Sequence, residues 1–179
     1  MTVQEIFSQI AAHMVRGLMI HDQLADYFNF LGLEGYHLEQ EHQYLEESKE
    51  YRDLPVFYMQ QYDLLLATDR VEDPKIIPDS WRKHNRMEVD ISTKRNAIES
   101  GFKAWRDWEK ATTKIYSDLA HELYAMGDIV AYCYLTEVIK TVNAELLKVV
   151  DRMLVLNSTN YDMTYILEAQ KDLIEKYKG

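Results

Sequence analysis

A single carboxylate set inside a long apolar row constrains this chain more than any other feature. From Ile98, the residues Phe102, Trp105, Glu109, Thr112, Tyr116, Leu119 and Leu123 follow in steps of three and four. That spacing puts all of them on one helix face, because an α-helix turns once in about 3.6 residues. An acid in such a row needs a partner, a metal or a solvated pocket, since an unpaired carboxylate is costly to take out of water. Gly127-Asp128 then supplies a tight turn. A second apolar pattern runs through Val130, Tyr134, Glu137, Val142, Leu146, Val149 and Met153. The stretch Ile91–Met153 is therefore expected to form a helical hairpin, with Glu137 on its second arm able to meet Glu109.

The remainder keeps the same rhythm. Thr2-Val-Gln-Glu5 is a capping box, in which side chain and backbone at a helix start satisfy each other's orphan groups. Ile6, Ile10, Met14, Gly17, His21, Leu24, Phe28 and Leu31 then recur at helical spacing and predict a first helix over 3–31. His21 lies on or beside this row, as a satisfied core histidine or as a ligand. Two glycines between Leu31 and Gly35 give a short turn into a second helix over 36–67. Leu38, His42 and Leu45 share a face of it, Glu41 lies beside them, and Glu46 to Glu50 are expected to face solvent. Pro55 should kink or restart this helix, with Asp53 as a cap.

Residues 69–89 break the pattern at Asp73-Pro74 and Ile77-Pro78-Asp79. They read as a long connection that packs on the body through Ile76, Ile77 and Trp81. Helices follow over 90–126, 128–156 and 161–177, with Asp90 or Ser92, and Asp128, as N-caps. With only six glycines and three prolines in 179 residues, few other breaks are available. The chain thus reads as one all-α domain over 1–179, in which two hairpins are joined by a crossover along the bundle.

Charge and cysteine usage narrow the function classes. A formal charge of -10 is a poor match to the phosphate backbone of nucleic acid and is repelled by anionic membranes. No segment approaches the run of about 20 apolar residues that a membrane span requires. Neither nucleic acid nor a membrane is an expected partner. Cys133 is the only cysteine, so no intrachain disulfide can form, which fits a reducing, cytoplasmic compartment. Its place in a predicted helix reads as a small core residue. Gln4, Glu5, Ser8 and Gln9 make the N-terminus too polar for a signal peptide. There is no phosphate-cradling glycine loop, no serine nucleophile elbow and no cysteine pair for a zinc site.

Three segments carry a family resemblance. Trp108-Glu-Lys-Ala-Thr-Thr-Lys-Ile-Tyr-Ser-Asp-Leu-Ala-His-Glu-Leu123 resembles the third helix of ferritins, and Tyr134-Leu-Thr-Glu-Val-Ile-Lys140 resembles their fourth-helix motif. Gly35-Tyr-His-Leu-Glu-Gln-Glu-His42 with Gln-Tyr-Leu-Glu-Glu47 looks like a stretch of the miniferritins. The resemblance implies a ferritin-like four-helix bundle with a long crossover between its second and third helices and a short C-terminal fifth helix. It aligns Glu109 with a carboxylate of the diiron region, Glu137 with the acid of the fourth-helix motif, and His42 with a ferroxidase histidine. It also implies a homo-oligomer, which the thirteen tyrosines suit.

A dinuclear carboxylate centre in such a bundle takes a Glu from each of two helices and a Glu-x-x-His from each of the other two. This sequence has no such pair. Glu34-Gly-Tyr-His37 straddles a glycine turn, and Glu137 is followed by Lys140 where histidine is expected. The candidate ligands are His21, Glu41 or His42, Glu109 and Glu137, one per helix, with Fe or Mn as the metal their donor atoms suit and oxidation at that metal as the chemistry. The alternative is a non-enzymatic bundle acting in protein–protein interaction or assembly. Its metal site is lost, and the same residues form a buried polar cluster or pair with Lys140.

Overall fold

In the computed structural model, which describes residues 1–67, 71–72, 74–76 and 89–178, the capping box forms as read. Thr2 Oγ1 accepts from Glu5 N–H, and Glu5 accepts from Thr2 N–H. It starts α1, Val3–Phe30, and α2 follows as Glu34–Tyr62. After the crossover come α3, Ile91–Ala125, α4, Ile129–Ser158, and α5, Met163–Lys178. Asp90 caps α3 through Thr93 N–H and Asp128 caps α4 through Ala131 N–H. Gly127 turns the α3–α4 hairpin at φ 77°, a left-handed conformation that costs glycine little.

Two described points of the crossover, Ala67 and Ile76, lie against α1. Ser8 Oγ donates to Ala67 O at its start, and Ile76 N–H donates to Gln23 Oε1 further along. It delivers α3 to the far end of α1, where Tyr27 OH donates to Ala97 O. The hairpins α1–α2 and α3–α4 therefore lie side by side with α1 antiparallel to α3. At one end of the bundle Tyr62 OH donates to Asp128; toward the other, Arg152 on α4 reaches Glu39 on α2. α5 folds back on α2, where Gly35 N–H donates to Gln170 Oε1.

Apolar burial is split in two. One cluster joins Leu24, Phe28, Tyr36, Ile98, Phe102, Trp105, Val149 and Met153 with Ile166 of α5. The other joins Ile6, Phe7, Ile10, Leu54, Tyr58, Leu119, Leu123 and Leu135 at the opposite end. Between them lies a layer containing His13, His21, Gln40, Gln43, Glu109 and Thr112, all buried.

Several expectations change. Pro55 lies inside a continuous α2, and that helix stops at Tyr62, ahead of Asp63 in left-handed conformation at φ 56°, not at 67. The buried face of α2 is Tyr36, Gln40, Gln43, Leu54 and Tyr58; Leu45 and His42 are exposed. Cys133 is exposed instead of core, because the inward face of α4 is Ala131, Leu135, Val149, Met153 and Leu156. Asp73, Ile77, Pro78, Asp79 and Trp81 lie outside the described residues.

Candidate metal centre

The apolar rows of α1 and α3 carry His21 and Glu109 into the polar layer from opposite sides. Both rows are buried along their whole length, so neither side chain can turn to solvent. The third member is Glu47 of α2. His21 Nε2 lies 3.1 Å from Glu47 Oε1 and 3.5 Å from Glu109 Oε1. One ligand atom from each of the three falls within 4.8 Å of the others. Imidazole nitrogen with carboxylate oxygens is a donor set that suits iron and similar transition ions.

Partners behind the cluster fix its orientation. His21 Nδ1 lies 2.8 Å from Gln40 Oε1, so Nδ1–H donates there and Nε2 is the atom that faces the carboxylates. Trp105 Nε1–H donates to Glu109 Oε1 at 3.0 Å from one turn earlier on α3. Metal-ligating histidines and carboxylates are held by outer partners in this way. His21 Nε2 itself is buried, with both carboxylates at ion-pair distance.

Electrostatics tie the three together. Burial alone would lower the His21 pKa; the Glu47 and Glu109 carboxylates reverse this and hold it well above the usual histidine range. Burial raises Glu109, with His21 opposing. On the outer side a cavity of about 280 Å³ is lined by Gln43, Glu46, Glu47, Glu50, Glu109 and Glu145, among others. Glu50 is pushed up to about 7 by burial and by Glu47, Glu46, Glu145 and Asp53. Lys49 is the one base on that wall among the described residues.

Of the five ligands expected from sequence, His21 and Glu109 come together and three stay outside. Glu137 pairs with Lys140 at 2.6 Å on the surface. It is two residues past the inward-facing Leu135, so it points about 200° away. His42 pairs with Glu46 at 3.4 Å, and Glu41 lies 3.5 Å from His37; both are exposed. Glu47 was expected in solvent, yet it and Glu50 are half-buried. The signal was in the spacing: Tyr36, Gln40, Gln43, Glu47, Glu50, Leu54 and Tyr58 keep steps of three and four, and the polar middle of that row marks the layer.

No protein-family model matches the chain, and no curated protein matches it. Solved structures do. An open pore ferritin from the hyperthermophilic archaeon Archaeoglobus fulgidus superimposes with a TM-score of 0.77 at 18% identity, over 95% of this chain and 94% of that one. A humanized archaeal ferritin gives 0.77 at 16%, over 95% and 93%. A PmFTN variant soaked in iron gives 0.74 at 13%, over 93% and 95%. The chain has the ferritin fold.

Proposed function

We propose that this protein binds a single iron ion inside the bundle, through His21 Nε2 and the carboxylates of Glu47 and Glu109. The observation that carries this reading is the convergence of the buried His21 Nε2 with carboxylates from two other helices. Iron comes ahead of other metals because the donor set suits it and because the shared fold is that of proteins named as ferritins, with an iron-soaked PmFTN variant among the matches. Iron held by one imidazole and two carboxylates would supply one-electron redox chemistry with coordination positions left open.

The chain's own residues prepare for it. Gln40 fixes which ring nitrogen faces inward, and Trp105 fixes the Glu109 carboxylate. A metal at Nε2 replaces the proton that the two carboxylates otherwise hold on His21. The acidic cavity draws cations toward the cluster; at roughly 30 Å³ per water it has room for a hydrated ion. The same reading includes a homo-oligomer, which is supported by exposed Ile129, Val130, Leu147, Leu154 and Val155 on α4.

One observation favours a rival. α4 lines the cavity with Thr141, Val142 and Glu145 and adds no ligand to the cluster found among the described residues. On that ground the three residues would be an internal ion network in a metal-free bundle acting in assembly. Anaerobic Fe(II) equilibrium dialysis decides. We expect one iron per chain, lost in Glu47→Ala and in Glu109→Ala and retained in Glu137→Ala. Wild-type protein that takes up no Fe(II) overturns the proposal and leaves the metal-free bundle.

A further inference from the structure

α1 has 28 residues and one glycine, Gly17, in its interior. Interior glycine weakens a helix, since it loses more conformational freedom on folding than any other residue. What it provides here is space. A Cβ at position 17 would lie 2.7 Å from Glu47 Oε2 and 3.3 Å from Trp108 Cζ2. The other Glu47 oxygen is the one 3.1 Å from His21 Nε2. Gly17 and His21 are four residues apart on one face of α1. The Glu47 carboxylate thus lies along α1, with one oxygen over the bare Gly17 backbone and the other at the imidazole.

We infer that Gly17 is a positioning residue for the metal cluster: its missing side chain is what allows Glu47 to cross from α2 to His21. The inference rests on the reading of His21, Glu47 and Glu109 as a metal site. The clash that alanine would create falls on the free end of a flexible side chain, not on backbone. Alanine should therefore move the carboxylate and leave the helices where they are. Helix content then stays while metal binding falls, which a residue needed only for helix packing would not produce.

The experiment measures both on the full chain, with Co(II) as the probe. Gly17→Ala should keep the helix content of wild type, because alanine is the better helix former. It should bind Co(II) at least about tenfold more weakly, the scale on which orienting residues act at metal sites. In a Glu47→Gln background the same substitution should cost nothing further. A metal-free readout separates this inference from the one beneath it: the His21 Nε2 resonance in ¹⁵N NMR should shift in Gly17→Ala as Glu47 moves away. Unchanged Co(II) affinity and an unmoved resonance overturn the role of Gly17 while leaving the site intact. A loss of helix content also overturns it, since Gly17 would then serve packing. A shifted resonance in a protein that binds no Co(II) upholds the Gly17–Glu47–His21 geometry and removes the metal from it.

Discussion

His13 gives a pH-dependence that can be worked from its surroundings. Its ring stacks on Trp108 with centroids 4.4 Å apart and planes at 16°, and Tyr116 meets it edge-on at 5.3 Å. Nε2 lies 2.8 Å from Thr112 Oγ1, and the residue is only 8% exposed. Burial, with the Arg16 charge adding to it and Glu47 opposing, lowers its pKa from 6.5 to about 4. The folded protein therefore prefers neutral His13, while the unfolded chain protonates near pH 6.5. This contribution is fully present above pH 6.5 and is lost as the pH falls through the folded value, because the unfolded state then binds the extra proton. At pH 4.5 the loss amounts to about 2.5 kcal/mol, from about 1.4 kcal/mol per pKa unit with the folded form still largely neutral. His13→Gln cannot titrate but keeps a polar group for Thr112. Urea unfolding at pH 7.5 and 4.5 should show wild type losing about 2.5 kcal/mol more than the variant across that interval. In melting temperature the difference is about 5–10 °C for a chain of this length. Other carboxylates titrate in both proteins and cancel. Equal losses in the two proteins, within about 0.5 kcal/mol, would refute the neutral buried histidine and the packing that enforces it.

Two further outcomes are expected. Arg152→Met leaves the Glu39 carboxylate, whose side chain has no exposure, with only Lys148 Nζ at 3.7 Å in place of the Arg152 contact at 2.6 Å. Breaking a buried pair from one side costs about 3–5 kcal/mol, so urea unfolding should register a loss of that order, and Glu39→Gln in the same background should recover much of it. Anaerobic Fe(II) at about a hundredfold excess over its dissociation constant should stabilise the wild type by about 2.7 kcal/mol. A thermal melt would read this as about 5–10 °C, absent from Glu47→Gln; an equal rise in that variant would place iron elsewhere.

The apolar rows of α1 and α3 were legible residue by residue, and with them His21 and Glu109. Both helices bury one continuous stripe, so periodicity alone sets their rotation about the axis. α2 hid its rotation. Its outward side carries Leu45, Val56 and Met59, while its inward side carries Gln40, Gln43, Glu47 and Glu50, so hydrophobicity pointed the wrong way round. α4 misled for a related reason: Val130, from which its row was read, is exposed, and a row begun there turns Glu137 inward. A ligand row is polar by nature, and the features that make Glu47 useful removed it from any reading based on apolar spacing. The break in helical pattern was legible from the prolines, and the contacts of Ala67 and Ile76 with α1 came from their bonds to Ser8 and Gln23.

Charge balance bears on why such a layer sits between two apolar clusters. A purely structural polar layer closes on itself, each donor meeting an acceptor, because unsatisfied buried groups cost stability. The pair of His13 and Thr112 is closed in this sense. The His21 cluster is not. It has two carboxylates against one imidazole, with Glu46, Glu50 and Asp53 on the adjoining wall. The nearby bases are already engaged: Lys148 binds Glu145 at 2.6 Å, and Arg152 binds Glu39 at 2.6 Å. Among the described residues Lys49 alone faces the cavity. Those residues leave the layer short of positive charge, which protons or a cation can supply. Protons can do so in part, since burial and neighbouring carboxylates raise His21, Glu109 and Glu50 toward their protonated forms. A divalent cation at His21 Nε2 would supply two charges at the point where three ligand atoms converge. Proton and metal then compete for one deficit, so iron affinity should fall steadily as the pH is lowered.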